Sequence, residues 1–261
     1  MSLLDPAERS SRGVTTCAAV TGSAPAGPRT LLEESWRDFV YAEIWSRPEL
    51  DRRARYLISI AGAASSSGPV DALDGYVHGA LSSGEIALGE LREAALHIAV
   101  YAGWQRGAEL DAAVTRAADR LGLEPVQLDP IRASPWDADE RIATGIAEFD
   151  KVMTFPGPPP VVPYFEVGID GFVFAEMWCR PGLDQRSRRW LTLVGVCDSA
   201  AETPIASHIH AAMASGNCRS DELHEFVLQY AVHAGWPKAS VVQGAVFAMA
   251  KKVADGRPFN G

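Results

Sequence analysis

Apolar residues recur at helical spacing along most of the chain, and polar turn signals separate the segments. Asp51 is a suitable N-cap for the first of these helices, and Gly84 can supply a left-handed turn after the second. The inward positions are Leu57, Ile58 and Ala61 in the first helix, Leu73, Val77, Ala80 and Leu81 in the second, and Leu91, Ala95, Ile98 and Ala102 in the third, and a fourth helix covers residues 108–121.

The same pattern occurs a second time. Residues 39–62 match residues 172–195 at an offset of 133, with 12 identities in 24 positions, and residues 76–104 match residues 208–236 at an offset of 132, with 13 in 29. A period above 130 residues is too long for a solenoid repeat and fits the duplication of a whole small domain. We therefore predict two tandem copies of one helical unit.

The repeats divide the chain into four parts. Residues 1–30 are rich in Ser, Thr, Ala, Gly and Pro and are expected to be a mobile leader, followed by a first repeat over residues 31–121. Residues 122–163 form a connector with one helix at about 137–153, and its Pro-rich run favours a stiff spacer over a ligand for an SH3-type module. The second repeat covers residues 164–255. The predicted fold class is all-α.

Charge and hydropathy exclude several classes of protein. Lys and Arg number 24 and Asp and Glu 33, so the net charge is −9 with the six histidines neutral. Nucleic acids are bound by clustered cationic side chains, which argues against such a partner. No apolar run approaches the roughly 20 residues of a membrane helix, and residues 1–20 are too charged for a signal peptide. We expect a cytoplasmic protein that binds neither nucleic acid nor membrane.

Both copies keep the same polar residues in the same order. The first block reads E-x-W-x-R-P-x-L-D-x-R-x-R from Glu43 or Glu176, and the second contains H-x-A-[LM]-x-S-G, E-L-x-E and A-G-W. This series resembles the carboxymuconolactone decarboxylase family, which shares the fold of the alkyl hydroperoxidase D proteins. The resemblance covers about 90 residues of each copy. It implies two tandem helical domains of that fold.

The resemblance also bears on redox chemistry. The peroxidase branch of that family uses a C-x-x-C dithiol followed by a histidine. His78 and His210 match the histidine, but the cysteine positions hold Asp71 and Asp74 in one copy and Thr203 and Ala206 in the other. A thiol peroxidase needs a reactive thiolate and a resolving partner, so a peroxidase-like oxidoreductase is the least favoured alternative.

The decarboxylase branch implies a lyase without metal or organic cofactor. Loss of CO2 next to a carbonyl needs a cation to orient the carboxylate, an acid to protonate the carbanion, and an apolar wall. His78 and His210 are the candidates for proton transfer, with Glu43 and Glu176 orienting them. Arg53 and Arg186 are the candidates for a substrate-carboxylate clamp, with ion pairs as their alternative role.

Other side chains are candidates for lining the substrate pocket. The third helix of the first copy places Glu93, His97 and Tyr101 on one face, and that of the second copy places Glu225, Gln229 and His233 there. Trp104 and Trp236 are further candidates, with anchoring of the core or an interface as the alternative. A metal site is not predicted, because His208 and His210 point about 200° apart on a helix.

Two hypotheses for function remain. The first is a cofactor-free enzyme that acts on a small acidic or lactone substrate. The second is a family member without turnover that binds a ligand or serves as a scaffold. Relatives with a single copy form rings of six units or trimers, so three tandem chains would rebuild a closed ring. We expect a homotrimer with pockets at the boundaries between units, where Arg53 or Arg186 could face a histidine of another unit.

Overall fold

A computed structural model describes residues 5–66 and 70–261 of the chain. Within these ranges the regular secondary structure is entirely helical and includes no strand, which confirms the all-α fold class. None of the helices in these ranges is long and apolar enough to cross a membrane. The helices are α1 (Pro6–Thr21), α2 (Leu31–Ser35), π1 (Trp36–Trp45), α3 (Arg52–Ser65), α4 (Val70–Ser82), α5 (Leu88–Ala102), α6 (Trp104–Leu121), α7 (Ala138–Met153), π2 (Tyr164–Trp178), α8 (Gln185–Asp198), α9 (Glu202–Ala214), α10 (Ser220–Ala234) and α11 (Trp236–Ala254).

The predicted helix starts and turns are confirmed in both halves. Asp51 caps α3 and Asp184 caps α8, and each carboxylate accepts a hydrogen bond from the backbone N–H three residues later, at 2.8 Å in both cases. After α4 and α9 the chain turns at Gly84 and Gly216, whose φ angles of +72° and +75° lie in the left-handed region. The two halves therefore build the same helices from the same local signals.

Helix α1 lies within residues 1–30, the segment that the sequence predicts to be a mobile leader. Asp5 caps its N-terminus, and Val20 near its C-terminus is fully buried. The helix packs against π1 and α4 at very close range, because a Cβ on Gly13 would lie 2.2 Å from the carbonyl oxygen of Arg37. Where helices pack through a glycine, the contact needs few large apolar side chains, so the sequence shows little apolar periodicity. The composition of residues 1–30, rich in Ser, Thr and Ala, therefore did not indicate this helix.

The predicted connector helix is confirmed as α7. It precedes π2 in the sequence and packs against it, as α1 precedes and packs against π1. A Cβ on Gly145 would lie 1.8 Å from the carbonyl oxygen of Asp170, so α7 also packs through a glycine. Each half thus contains a helix that the predicted repeat boundaries left outside. The offset of 132 residues that relates Gly13 to Gly145 also relates Glu8, Arg9 and Val20 to Glu140, Arg141 and Val152.

One hydrophobic core runs through both halves. Helix α3 packs against α8 and α10, and α8 packs against α5. Leu57 and Ile60 of the first half belong to the same buried cluster as Trp190, Leu193 and Tyr230 of the second. A helical unit of about 90 residues has a small core of its own, so the contact between the halves supplies much of the buried apolar surface.

Buried ion pairs cross the same interface. The glutamates one turn into α5 and α10 point into the interface and bind arginines of the opposite half. Removal of either carboxylate would leave buried guanidinium groups without a counterion. Glu93 pairs with Arg180 and Arg188, and Glu225 pairs with Arg47 and Arg55, at N–O distances of 2.5, 3.5, 2.6 and 2.9 Å respectively.

The docking of α1 can be tested at a glycine in α4. A Cβ on Gly79 would lie 1.7 Å from the carbonyl oxygen of Val20, whereas a Cβ on Gly75 would make an ordinary contact of 3.6 Å with Thr21. We expect Gly79→Ala to displace α1 and to lower the free energy of unfolding by about 1–3 kcal/mol in urea titrations. Gly75→Ala, the matched control, should be neutral or stabilising by up to about 1 kcal/mol. Equal effects of the two substitutions would show that α1 is not docked in this way.

Candidate functional site

A large cavity lies in the second half, between α7, π2, the start of α9 and the C-terminal tail. Its volume is about 690 Å³, within the range of sites for small molecules. Most of its wall is apolar and much of it aromatic. The apolar and aromatic side chains are Val100, Phe149, Met153, Phe155, Pro156, Pro158, Tyr164, Phe165, Ile169, Val173, Phe174, Val196, Pro204 and Phe259, and the polar ones are Tyr101, Thr203, Ser207, His208 and Asn260.

Two of the polar groups lie edge to face in the wall. The rings of Tyr101 and His208 are 5.9 Å apart at an interplanar angle of 89°. Tyr101 belongs to α5, so the first half contributes directly to a cavity of the second half. Its hydroxyl oxygen accepts a hydrogen bond from the indole Nε1–H of Trp178 at 2.8 Å. Because a phenol also carries one donor, the O–H proton of Tyr101 can serve a ligand.

The imidazole of His208 is neutral. Burial, and secondarily the positive charge of Arg189, lower the pKa of His208 to about 3. Its Nδ1 atom is buried and has no hydrogen-bond partner among the described residues. A buried polar atom without a partner is costly, so a ligand atom that completes this bond would be favoured.

The cation that acts on His208 is itself buried. Arg189 is fully buried, and its guanidinium lies over the ring of Trp178 at 5.2 Å and donates hydrogen bonds to the carbonyl of Val152 and to Asn217. Burial lowers the pKa of Arg189 to about 10, and within the described ranges no carboxylate lies within 4.0 Å of it. The region behind the wall is therefore electropositive.

The corresponding space in the first half is smaller, about 220 Å³, and is lined by Cys17, Trp36 and Tyr41 at the positions of Phe149, Ile169 and Phe174. Tyr76 stands at the position of His208 and is fully buried, with its ring stacked on Trp45 at a centroid distance of 5.5 Å. Tyr41, which corresponds to Phe174, is also buried in the same cluster. A larger side chain, Tyr76 in place of His208, thus accompanies the smaller cavity of the first half.

The predicted catalytic histidines lie outside this cavity. The Nδ1–H of His78 donates to the carbonyl of Thr21 at 3.0 Å, at the end of α1. The Nε2–H of His210 donates to the carbonyl of Arg257 at 3.1 Å, and its ring lies 5.8 Å from that of Phe259, which lines the cavity. Each histidine thus binds a segment at one end of the chain, and their role in proton transfer stays a prediction.

The predicted orienting carboxylates bind arginines rather than histidines. Glu43 pairs with Arg9 of α1 at 2.5 Å, and Glu176 pairs with Arg141 of α7 at 3.1 Å. These contacts fasten α1 to π1 and α7 to π2. The structure does not bring either carboxylate together with His78 or His210 through a hydrogen bond.

The two arginines predicted to clamp a substrate carboxylate are paired within the chain. Arg53 binds Glu90 at 2.7 Å and reaches Asp184 of the other half at 3.5 Å. In the same way, Arg186 binds Glu222 at 2.9 Å and Asp51 at 2.7 Å. The alternative role as ion pairs therefore describes their contacts, and the carboxylate clamp and the homotrimer with shared pockets stay predictions.

The predicted ladder on the third helices is buried between the halves. The Nδ1 of His97 faces the Nη1–H of Arg188 at 3.4 Å, and since an arginine can only donate, the Nε2–H of His97 donates to Thr192 at 2.8 Å. His97 is thus a neutral interface histidine, while Tyr101 reaches the cavity. His233 lines a separate, more polar cleft of about 470 Å³ that also contains Arg106 and Lys238.

The two tryptophans after the third helices bridge the halves. Trp104 lies 6.0 Å from Phe172 of the second half, and Trp236 lies 6.2 Å from Phe39 of the first. Both are more than half exposed, at 60% and 54%. They do not line the cavity, so their contacts agree with interface anchors and their role in substrate binding stays a prediction.

The cysteines and metal-binding side chains are dispersed. Cys17, Cys197 and Cys218 are buried, Cys179 is exposed, and none of the four forms a disulfide in the described part of the chain. Burial raises the pKa of all four thiols, which disfavours the thiolate that peroxide chemistry needs. Among residues 5–66 and 70–261, no group of three or more His, Cys, Asp or Glu side chains could hold a metal ion.

Sequence reasoning missed the role of His208 and Arg189. Both stand where the two copies differ, since Tyr76 and Tyr56 occupy the equivalent positions in the first half. The predicted catalytic residues, in contrast, are ones that the two copies share. The exchange of a tyrosine for a smaller histidine at the offset of 132 was the available signal.

Comparison with known proteins gives a partial similarity. No family model matches the chain. The 4-carboxymuconolactone decarboxylase of Acinetobacter baylyi is 30% identical over 76 residues, which are 29% of this chain. The chain spans about half the length of that curated relative, 56%. The similarity supports the resemblance to carboxymuconolactone decarboxylases, and the tandem duplication stays a prediction.

Proposed function

We propose that the chain is a carboxymuconolactone decarboxylase-like enzyme that uses no cofactor and acts on a small lactone or related acid in the cavity of the second half. One observation carries the proposal: an apolar cavity of about 690 Å³ meets a neutral His208 whose Nδ1 has no partner among the described residues. The partial similarity to a carboxymuconolactone decarboxylase supports the reaction class.

The geometry supports stabilisation of an oxyanion. Decarboxylation next to a carbonyl breaks the bond to the carboxylate, releases CO2 and moves the electron pair onto the carbonyl oxygen. Attack of a water molecule on a lactone moves the carbonyl electron pair onto the same oxygen before the ring C–O bond breaks. The neutral imidazole of His208 and the hydroxyl of Tyr101 can donate hydrogen bonds to that oxygen, and the charge of Arg189 favours it from behind. The mostly apolar wall lowers the polarity around a ligand, which strengthens each of these interactions.

Binding without turnover is the second candidate function. His78, His210, Glu43 and Glu176 all make contacts that fasten the ends or helices of the chain, so they leave few free groups for proton transfer. A neutral histidine with a pKa near 3 is also a weak base. Those observations favour a protein that holds its ligand unchanged.

The proposal is tested by filling the cavity. We expect His208→Tyr to occupy the space as Tyr76 does in the first half, and to abolish binding and conversion of cavity ligands while the protein stays folded. The probes are 4-carboxymuconolactone and γ-undecalactone, with binding followed by ligand-detected NMR and conversion by chromatography. His224→Tyr on α10, outside the cavity, is the matched control.

The outcomes separate the two candidate functions. Conversion of either lactone by the unchanged protein and the control, but not by His208→Tyr, would support the enzyme. Binding that is sensitive to His208→Tyr without conversion would support the second candidate. Binding and conversion that are unaffected by His208→Tyr would place the function outside this cavity and overturn the proposal.

A further inference from the structure

We infer that the cavity of the second half selects an uncharged, mostly apolar carbonyl compound rather than a carboxylate. The inference rests on the proposed function, since it names the substrate class of the same cavity. Within that function it favours the opening of an uncharged lactone over loss of CO2, which needs a carboxylate. It departs from the expectation of an acidic substrate that the sequence suggested. Three features of the cavity lead to it: the absence of charge from its wall, the donors at Tyr101 and His208, and the aromatic lining.

The first feature is the absence of charged side chains from the wall. None of the described residues that line the cavity is Lys, Arg, Asp or Glu. Transfer of an ionised carboxylate into apolar surroundings without a paired cation carries a large penalty, whereas an ester, ketone or lactone loses little. Arg53 and Arg186, the predicted clamps, are occupied by carboxylates of the protein and do not line the cavity.

The second feature is the chemistry of the polar groups. The hydroxyl of Tyr101 already accepts the N–H of Trp178, so its remaining proton can be donated to a ligand. Arg189 lies behind the wall, where its positive charge favours an oxygen with partial negative charge near Tyr101 and His208. The Nη2–H and Nε–H of Arg189 donate to Val152 and Asn217, while its Nη1 has no hydrogen-bond partner among the described residues. Because Arg189 does not line the cavity, it acts on a ligand there through its positive charge rather than through a direct ion pair. A carbonyl oxygen meets these conditions.

The third feature is the lining opposite the polar groups. Phe149, Phe155 and Phe174 form one aromatic group, in which the rings of Phe149 and Phe174 are 4.7 Å apart, and Phe259 stacks on Phe155 at 4.9 Å. Aromatic walls favour flat ligands through offset and edge-on contacts. The volume of about 690 Å³ admits a ligand of two fused rings or of comparable size.

A pair of ligands of equal shape tests the charge preference. 2-Acetylnaphthalene and 2-naphthoate differ mainly in the replacement of a methyl group by a charged oxygen. We expect the full-length protein to bind the ketone at least about tenfold more tightly than the carboxylate in calorimetric titrations at pH 7.5. His208→Tyr should remove binding of the ketone, which locates it in the cavity.

A second pair tests the recognition of the carbonyl oxygen. 2-Ethylnaphthalene has nearly the shape of the ketone but no oxygen. We expect Tyr101→Phe to weaken binding of 2-acetylnaphthalene about three- to tenfold and to leave 2-ethylnaphthalene unchanged, because one hydrogen bond is lost. Tyr164→Phe is the matched control, since Tyr164 also lines the cavity but is 68% exposed.

Each outcome has a distinct meaning. Tighter binding of 2-naphthoate than of the ketone, lost in His208→Tyr, would overturn the uncharged substrate class and leave the proposed function standing. Equal loss of the ketone and 2-ethylnaphthalene in Tyr101→Phe would overturn recognition of the carbonyl. If His208→Tyr changed the binding of neither the naphthalenes nor the lactones, both the inference and the proposed function would be overturned.

Discussion

Replacement of Glu93 by glutamine is expected to lower the free energy of unfolding by about 3–5 kcal/mol, because it leaves two buried arginines without a counterion. Glu93 is 4% exposed and binds Arg180, which is 7% exposed, and Arg188, which is almost fully buried. Burial alone would raise the pKa of Glu93, but hydrogen bonds and charge from Arg180 and then Arg188 lower it overall. The measurement is urea unfolding at pH 7.

Two further glutamates provide graded controls. Glu225→Gln should cost less than Glu93→Gln, because one of its partners, Arg47, is 36% exposed and can be solvated. Glu90→Gln should cost at most about 1 kcal/mol, since the side chain is 31% exposed and a glutamine can still cap the helix start. If Glu93→Gln were no more destabilising than Glu90→Gln, the buried ion pairs would not hold the halves together.

Lowering the pH is expected to destabilise the protein at pH values well above those at which carboxylates titrate. Burial lowers the pKa of His208 to about 3 and of His233 to about 4, and lowers that of His97 well below its usual value. In the unfolded chain a histidine takes up a proton near pH 6.5. The unfolded state therefore binds more protons between about pH 6.5 and 4, and the free energy of unfolding falls as the pH is lowered.

The size of this effect can be measured by urea unfolding between pH 7.5 and 5. Each neutral histidine contributes a slope of up to about 1.4 kcal/mol per pH unit below pH 6, so the three together give a slope of up to about 4 kcal/mol per pH unit. His208→Tyr should remove about a third of the slope. Glu93 and Glu225 have lowered pKa values, so the stability they contribute is lost only at lower pH. A free energy of unfolding that stayed constant from pH 7 to 5 would contradict the buried neutral histidines.

The parts of the fold that depend on local chemistry could be predicted from the sequence. Asp51 and Asp184 start helices because a carboxylate satisfies free N–H groups within three residues of itself. The apolar spacing of the repeated helices likewise depends on neighbours along the chain. Helix α1 was missed because Gly13 and Gly79 allow close approach of other helices without leaving an apolar stripe.

The candidate site depends on contacts that no local pattern records. Tyr101 was predicted as a lining residue from its helical face, and it does line the cavity, although of the other half. Arg53 and Arg186 were predicted as clamps from their charge, and the pairing of each with a carboxylate of its own half and one of the other half depends on the fold. The properties of His208 depend on its neighbours in the fold, because burial, and secondarily the charge of Arg189, keep its imidazole neutral.

The first half, with a cavity of about 220 Å³, and the second half, with one of about 690 Å³, divide stability and recognition between them. A cavity of this size forgoes packing that Tyr76 and Tyr41 provide in the first half, and lost packing destabilises a fold. Because the hydrophobic core is shared, the well-packed half offsets this loss for the whole chain. The cavity wall can therefore accumulate substitutions that change ligand preference, which makes the second half a suitable place for new specificities to evolve or to be engineered.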